Sequence, residues 1–239
     1  MKRRNQPATV VLCATAPRQA LTGRTSAWID AVRSVAVPVT WAVGIDTLAD
    51  VASQADSLDL ALDIPPATCG SRSRLRDLLL RARDIVPDLA AAVLRGPTPA
   101  AHRGVLVEEG IGVAVVDAFE EDGRGNRRPP PKGWGCRNPV WGLWEVLVTP
   151  ARPAGIAGWL GLGGMPRLMP GGLHVLRTDG VSVGNNGSAF VTPRLDRWIS
   201  WAGQRRFRGS ADVVPLSALP RLITGTDRDT AGRSVLRAA

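Results

Sequence analysis

The chain has 239 residues, 44 % of them hydrophobic and 21 % charged, ordinary globular values that allow a buried core without disulfides or a structural metal. Its 30 Lys and Arg residues are nearly all Arg and give a net charge of +9, which favours anionic partners through long-range steering. The nearest thing to a basic run in the body of the chain, Arg124 to Arg128, is short and broken by Gly125 and Asn126, so the charge is not clustered as a nucleic-acid footprint.

Lys2, Arg3 and Arg4 precede a short apolar run, Val10 to Ala14, too short for a signal peptide. Thr9 to Cys13 reads as a first strand, and Thr25 or Ser26 as the cap of a helix reaching Val35. Val37 to Val43 is a second strand, followed by a short helix near Asp46 to Ser53. Leu58 to Ile64 is a third strand, stopped by Pro65 and Pro66, and Ser71 or Ser73 caps the next helix. Leu89 to Leu94 reads as a strand or, through its alanines, as helix. Ala100 to Glu109 is helical and ends at Gly110; Ile111 to Val116 is a buried strand ending at Asp117.

Glu120 to Pro139 is irregular and rich in Arg, Gly and Pro, a length expected of a functional or disordered loop. Trp144 to Val148 and Leu173 to Leu176 are further strands, with only a weakly helical Gly155 to Gly164 between them. Thr192 caps a helix with Pro193 at its first position, and Val213 to Leu216 is a last strand. Residues 1–7 and 224–239 read as disordered ends around a single domain, 8–223.

Seven or eight β/α units with near-continuous apolar strands predict a parallel sheet covered by helices, either a closed (β/α) barrel or an open doubly wound sheet. No glycine-rich phosphate fingerprint follows the first strand, and no nucleophile elbow is present. No cofactor is called for. Cys13, Cys69 and Cys136 match no zinc spacing, and their odd number points to free thiols in a reducing compartment. No stretch reaches the ~18 apolar residues of a membrane span, so the expectation is a cytoplasmic protein with no membrane association. Its oligomeric state stays open.

Val93 to Asp117 reads VLRGPTPAAHRGVLVEEGIGVAVVD. This segment resembles the middle of polysaccharide deacetylases of the NodB-homology family, where a strand ends in Arg-x-Pro-x-Gly, a helix follows, and a Glu-x-Gly turn leads into the next strand. Arg95 and Pro97 match, whereas Pro99 replaces the Gly. Val37 to Val43 (VPVTWAV) resembles the family's second strand, and the order of elements agrees over roughly residues 8–222. The resemblance implies a seven- or eight-stranded parallel barrel of the glycoside hydrolase/deacetylase type. It also implies a metal held by Asp after strand one and two His after strand three. Here Leu12 to Pro17 carries no carboxylate and Asp63 to Ala67 no His, so no metal site is expected. In Gly172 to Arg177, Arg177 stands at the family's late His position; a slip in register would put His174 there instead.

The active end of a parallel barrel is the C-terminal end of its strands, where Thr15, Asp63, Arg95, Asp117 and Arg177 fall. His174 is the best acid/base candidate, with Asp63 and Asp117 as its carboxylate partners; His102 falls on a helix surface. Arg95, Arg177, Arg127, Arg128 and Arg137 suit an anionic ligand. Trp134, Trp141 and Trp144 suit stacking on a sugar face or plugging of the barrel mouth, and the loop from Glu120 to Trp144, following the fifth strand, is expected to cover the C-terminal mouth and supply the ligand contacts. Cys136 lies on a basic loop that would lower its pKa, without an evident His or Asp partner. The leading expectation is a divergent deacetylase-like protein without metal-dependent activity that binds a carbohydrate or anionic ligand. The alternatives are a carbohydrate amide hydrolase with a non-standard site, and a partner-binding scaffold using the Arg/Trp loop.

Overall fold

The computed structural model of the protein describes residues 6–16, 29–30, 32–33, 35, 37–53, 58–117, 135–149, 165–183 and 189–224. The expectations for the two ends beyond these bounds, for the start of the first helix, for most of the loop after Asp117 and for Gly155 to Gly164 lie outside the described residues.

The architecture is mixed α/β, with a curled and mostly parallel sheet. Strand β1, Ala8–Thr15, is apolar on both faces, as a central parallel strand must be. Strand β2 is Thr40–Val43, and helix α1 is Ile45–Ala52. Strand β3, Asp59–Ile64, is followed by helices α2, Pro66–Cys69, and α3, Arg72–Ile85. Strand β4 is Ala91–Leu94, helix α4 is Ala100–Glu108, and strand β5 is Val113–Val116. Strands β6, Cys136–Val140, and β7, Leu143–Leu147, form a hairpin. Strand β8 is Leu173–Asp179; β9, Val181–Val183, and β10, Ala189–Val191, form a separate hairpin. Helix α5, Pro193–Phe207, leads to strand β11, Ala211–Val213, a 3₁₀ turn at Leu216–Ala218 and helix α6, Leu219–Thr224.

The main sheet has nine strands in the order β11-β1-β2-β3-β4-β5-β7-β6, with β8 on the other edge of β1. Only β6 runs antiparallel within it. Strand β1 is shared: Ala8–Val10 pair with β11 and Cys13–Thr15 with β2 on one edge, while Thr9–Thr15 pair with β8 on the other. Just past β7, Val148 bridges in parallel to Val175 of β8, and the Thr149 N–H donates to the Val175 carbonyl at 2.8 Å.

Side chains alternate between the two faces of the curled sheet. The inner face packs small residues, among them Val11, Cys13, Ala42, Ala61, Val93, Val115, Val146 and Val175. The outer face carries Leu12, Leu62, Ile64 and Leu176, covered by Leu75 and Leu79 of α3 and Leu106 of α4. Leu216, Leu219 and Ile223 join the inner cluster from the C-terminal segment. The Leu216 N–H donates to Thr40 Oγ1 at 2.8 Å and to Asp59 Oδ2 at 3.0 Å, and the Thr40 hydroxyl donates to Asp59 Oδ2 at 2.5 Å. Thr40 and Asp59 start β2 and β3, so this segment plugs the N-terminal end of the sheet.

Several local readings hold and others shift. Thr192 caps α5, accepting from the Leu195 N–H at 3.3 Å with Pro193 following, and Gly110 ends α4 at φ +87°. Pro66 stops β3 but also starts α2, because proline's fixed φ suits the first helical position. Part of the segment read as irregular is strand β6; its Pro139 is tolerated because the strand lies at the end of the sheet order. The last strand ends before Pro215, and what read as its continuation is the plug.

Truncating Leu216 to Ala should destabilise the protein by about 3 kcal/mol, within the usual range for a fully buried leucine. Leu80→Ala, at a side chain 44 % exposed on α3, should cost less than about 1 kcal/mol. Urea denaturation measures both, and equal costs would contradict the plug.

Candidate functional site at the C-terminal ends of the strands

Two residues beyond inner-facing Cys13, Ala61, Val93, Val115 and Val175 stand Thr15, Asp63, Arg95, Asp117 and Arg177. The period of two therefore brings all five to the inner face at the C-terminal end. Arg95 extends the ladder one residue past β4, its N–H donating to the Ile64 carbonyl at 3.0 Å. Gly96 follows because an added Cβ would lie 2.9 Å from the Pro66 side chain of α2.

Arg95 links three strands. Its Nε donates to Asp63 Oδ1 at 2.6 Å, and its Nη2 reaches Asp63 Oδ2 at 3.4 Å and Thr15 Oγ1 at 2.7 Å. The Asp63 side chain is 2 % exposed and that of Arg95 25 %. Burial opposes the Arg95 charge, but its hydrogen bond to Asp63 and the attraction of that carboxylate outweigh it and hold the guanidinium above its ordinary pKa. The second pair is Arg177 Nη2 to Asp117 Oδ1 at 2.6 Å, with the Asp117 side chain about half exposed. Arg177 Nη1 is buried without a hydrogen-bond partner among the described residues. Beneath the pairs lies Cys13, whose thiol is pushed up to about 12 by burial, against the pull of Arg177 and Arg95. It is a protonated, apolar floor and not a nucleophile.

The remaining candidates lie elsewhere. His174 is three residues before Arg177 on β8 and therefore on the opposite face of the strand from Val175. It is buried, its Nε2 accepts from the Met169 N–H at 3.0 Å, and its Nδ1 has no partner among the described residues. The structure does not bring it together with Asp63 and Asp117. His102, on α4, makes a 3.1 Å hydrogen bond through Nδ1 with the Cys69 carbonyl.

Arg137 is engaged in a buried cluster that sequence reasoning missed. Glu145 of β7 accepts from Arg137 Nε of β6 and from Arg103 Nε of α4, each at 2.7 Å, with its side chain 2 % exposed. The signal was a lone carboxylate inside an apolar strand run, Leu143–Leu147. Burial raises the Cys136 thiol, opposite to the lowering expected of a basic loop.

The expectation that the segment through Trp144 covers the C-terminal mouth is corrected for its described part. Strand β6 returns antiparallel and carries the chain to the other end of the sheet. Trp141, 93 % exposed in the hairpin turn, and Trp144, paired with Val113 at the start of β5, therefore lie at the N-terminal end. Arg127, Arg128 and Trp134 lie outside the described residues.

Chemically, the site is a ring of two carboxylates, two guanidiniums and a hydroxyl, balanced in charge. No three His, Cys, Asp or Glu side chains converge as a metal-ligand group among the described residues. Comparison with known proteins returns no matching family model and no similar curated protein.

Burial lowers the His174 pKa below its ordinary 6.5. The unfolded chain takes up this proton first as pH falls, so the stabilisation is complete above about pH 6.5 and is lost below it. Unfolding free energy should drop there by up to about 1.4 kcal/mol per pH unit from this group. His174→Gln should flatten that slope in denaturant titrations across pH 5 to 7; an unchanged slope would contradict the assignment.

Proposed function

We propose that the chain is a divergent protein of the polysaccharide-deacetylase type that binds a carbohydrate or anionic ligand at the C-terminal ends of its strands, without metal-dependent deacetylation. In this reading β1 to β5, β7 and β8 close into a barrel, with the Val148–Val175 bridge as the seam. The observation that carries the reading is the contact of Arg95 with Asp63 and Thr15. A metal-dependent deacetylase needs a carboxylate and imidazoles free to hold a cation that activates water. Here the carboxylate at the end of β3 is engaged by a guanidinium, which has no open coordination position for water. The resemblance in the Arg95 to Asp117 segment supports the scaffold, and the departures at Thr15 and Asp63 support loss of the reaction.

Ligand recognition then falls to the groups the ion pairs leave available. Arg95 engages Nε and Nη2, leaving Nη1 as a donor. Asp117 uses Oδ1 for Arg177, leaving Oδ2 as an acceptor at an exposed position. Donor beside acceptor suits hydroxyl and oxyanion groups.

The test combines metal analysis with binding. Untagged protein should carry no stoichiometric zinc, cobalt or nickel, keep its melting temperature in chelator, and release no acetate from acetylated oligosaccharides with any of these ions. Calorimetric titration with acidic and N-acetylated oligosaccharides should show binding that weakens at least about tenfold in Arg95→Gln, the value of one charge-assisted hydrogen bond. Acetate release with about one bound metal per chain, or binding indifferent to Arg95, would overturn the reading.

A further inference from the structure

Among the described residues, the two nearly fully exposed large apolar side chains lie at the end of the sheet opposite the ion pairs. Trp141 is 93 % exposed in the turn that leads into β7, and Phe207 is 94 % exposed at the end of α5, shortly before β11. Met169 is 43 % exposed in the segment leading into β8, at the same end, while Leu80 on α3 and Phe190 on β10 are exposed to a similar degree outside these strand entries. The sheet makes these three connections neighbours. β11 and β8 lie on either edge of β1, and β8 meets the end of β7 at Val148. The Leu147 and Thr149 N–H groups, on one edge of β7, donate to Gly135 and Val175, so β6 leaves β7 on the side facing β8. At about 4.8 Å per strand, the three entries fall within roughly 20 Å of one another.

Exposed arginines flank Phe207 and Met169 in sequence. Gln204 to Gly209 is a continuous exposed run holding Arg205, Arg206 and Arg208 about Phe207, and Arg167 is exposed beside Met169. None of these four arginines makes an ion pair among the described residues. The macrodipole of α5 accounts for arginines near its C-terminus, but not for a phenylalanine held in water. Asp212, at the second position of β11, is an exposed acid close to Phe207 in sequence.

We propose that this N-terminal end, presenting Trp141, Met169 and Phe207 together with four exposed arginines, docks peripherally on an anionic lipid surface. The form of the patch selects that partner. Its apolar side chains stand apart on separate tips, so a protein partner would need a matching pocket for each, whereas the soft interfacial layer of a bilayer admits each independently. Indole and phenyl rings favour that layer, and arginine stems bury there while their heads meet phosphates. No helix among the described residues is long and apolar enough to cross a membrane, and surface docking needs none. This departs from the sequence expectation of no membrane association, because exposure of Trp141 and Phe207 depends on the hairpin and helix end that present them.

Co-sedimentation of the full chain with vesicles tests it, using phosphatidylcholine alone and with about 30 % phosphatidylglycerol. The protein should pellet with the anionic vesicles, and added salt should release it. Trp141→Ser and Phe207→Ser should each weaken binding at least about tenfold, with melting temperatures unchanged because both side chains are solvent-exposed. Replacing Arg205, Arg206 and Arg208 with Gln should abolish the preference for anionic lipid. Absence of pelleting at low salt, or pelleting equal in all variants, would overturn the proposal. So would capture of single-stranded DNA by a protein indifferent to vesicles, which would make the patch a nucleic-acid face.

Discussion

The Arg95 guanidinium touches strands that a flat sheet would hold far apart. Strands β1 and β4 have β2 and β3 between them, a separation of roughly 14 Å in an uncurled sheet. Yet Arg95, just beyond β4, donates to Thr15 at the end of β1 while its other bonds hold Asp63 of β3. Arg177 of β8 reaches Asp117 beyond β5 in the same way, with β7 between them. The Arg95–Thr15 contact requires the inner face to be concave, and both contacts help to keep it so. An Asp buried to this degree carries a desolvation penalty of several kcal/mol unless it is paired and hydrogen-bonded. The curl of the sheet and the pairing of its charges therefore depend on each other.

That dependence divides the molecule into two ends with different chemistry. At the N-terminal end, the Leu216 amide closes on Thr40 and Asp59, and apolar side chains of the last helical turns fill the inner face. Between the ends, alanine and valine positions with Cys13 occupy the interior. The paired guanidiniums and carboxylates of the inner face stand at the C-terminal end, where parallel α/β sheets present ligand sites. The outer face solves a separate problem. Glu145 braces α4 and the β6–β7 hairpin through two arginines, which leaves Arg137 holding a hairpin in place and not facing the inner ring.

The sequence makes the parallel strands legible because strands buried on both faces appear as unbroken apolar runs. β1 and β5 stand out for that reason, and α5 for its Thr192-Pro193 start. Convergence of Asp63, Arg95, Asp117 and Arg177 was readable from their places at strand ends. The pairing was not, since it depends on how far the sheet curls. His174 shows the sharper limit. Its strand was found, but a single-residue difference in register decides the face, and Leu173 and Val175 take the inner one. Strand β6 escaped because Arg137, Asn138 and Pro139 give no apolar alternation, and the antiparallel return it makes moved Trp141 to the other end. The Arg103–Glu145–Arg137 cluster joins residues 42 and 8 apart in sequence, a contact that no local pattern encodes.

A double-mutant cycle between Asp63→Asn and Arg95→Gln, read by urea denaturation, tests most directly whether this pair holds the curled sheet together. Each single change should destabilise the fold by about 3 kcal/mol, the cost of leaving a buried partner uncompensated. The double variant should lose much less than the sum, with a coupling of about 2 kcal/mol. Additive losses within about 0.5 kcal/mol would mean that Asp63 and Arg95 act independently, and the account of the C-terminal ring would be wrong.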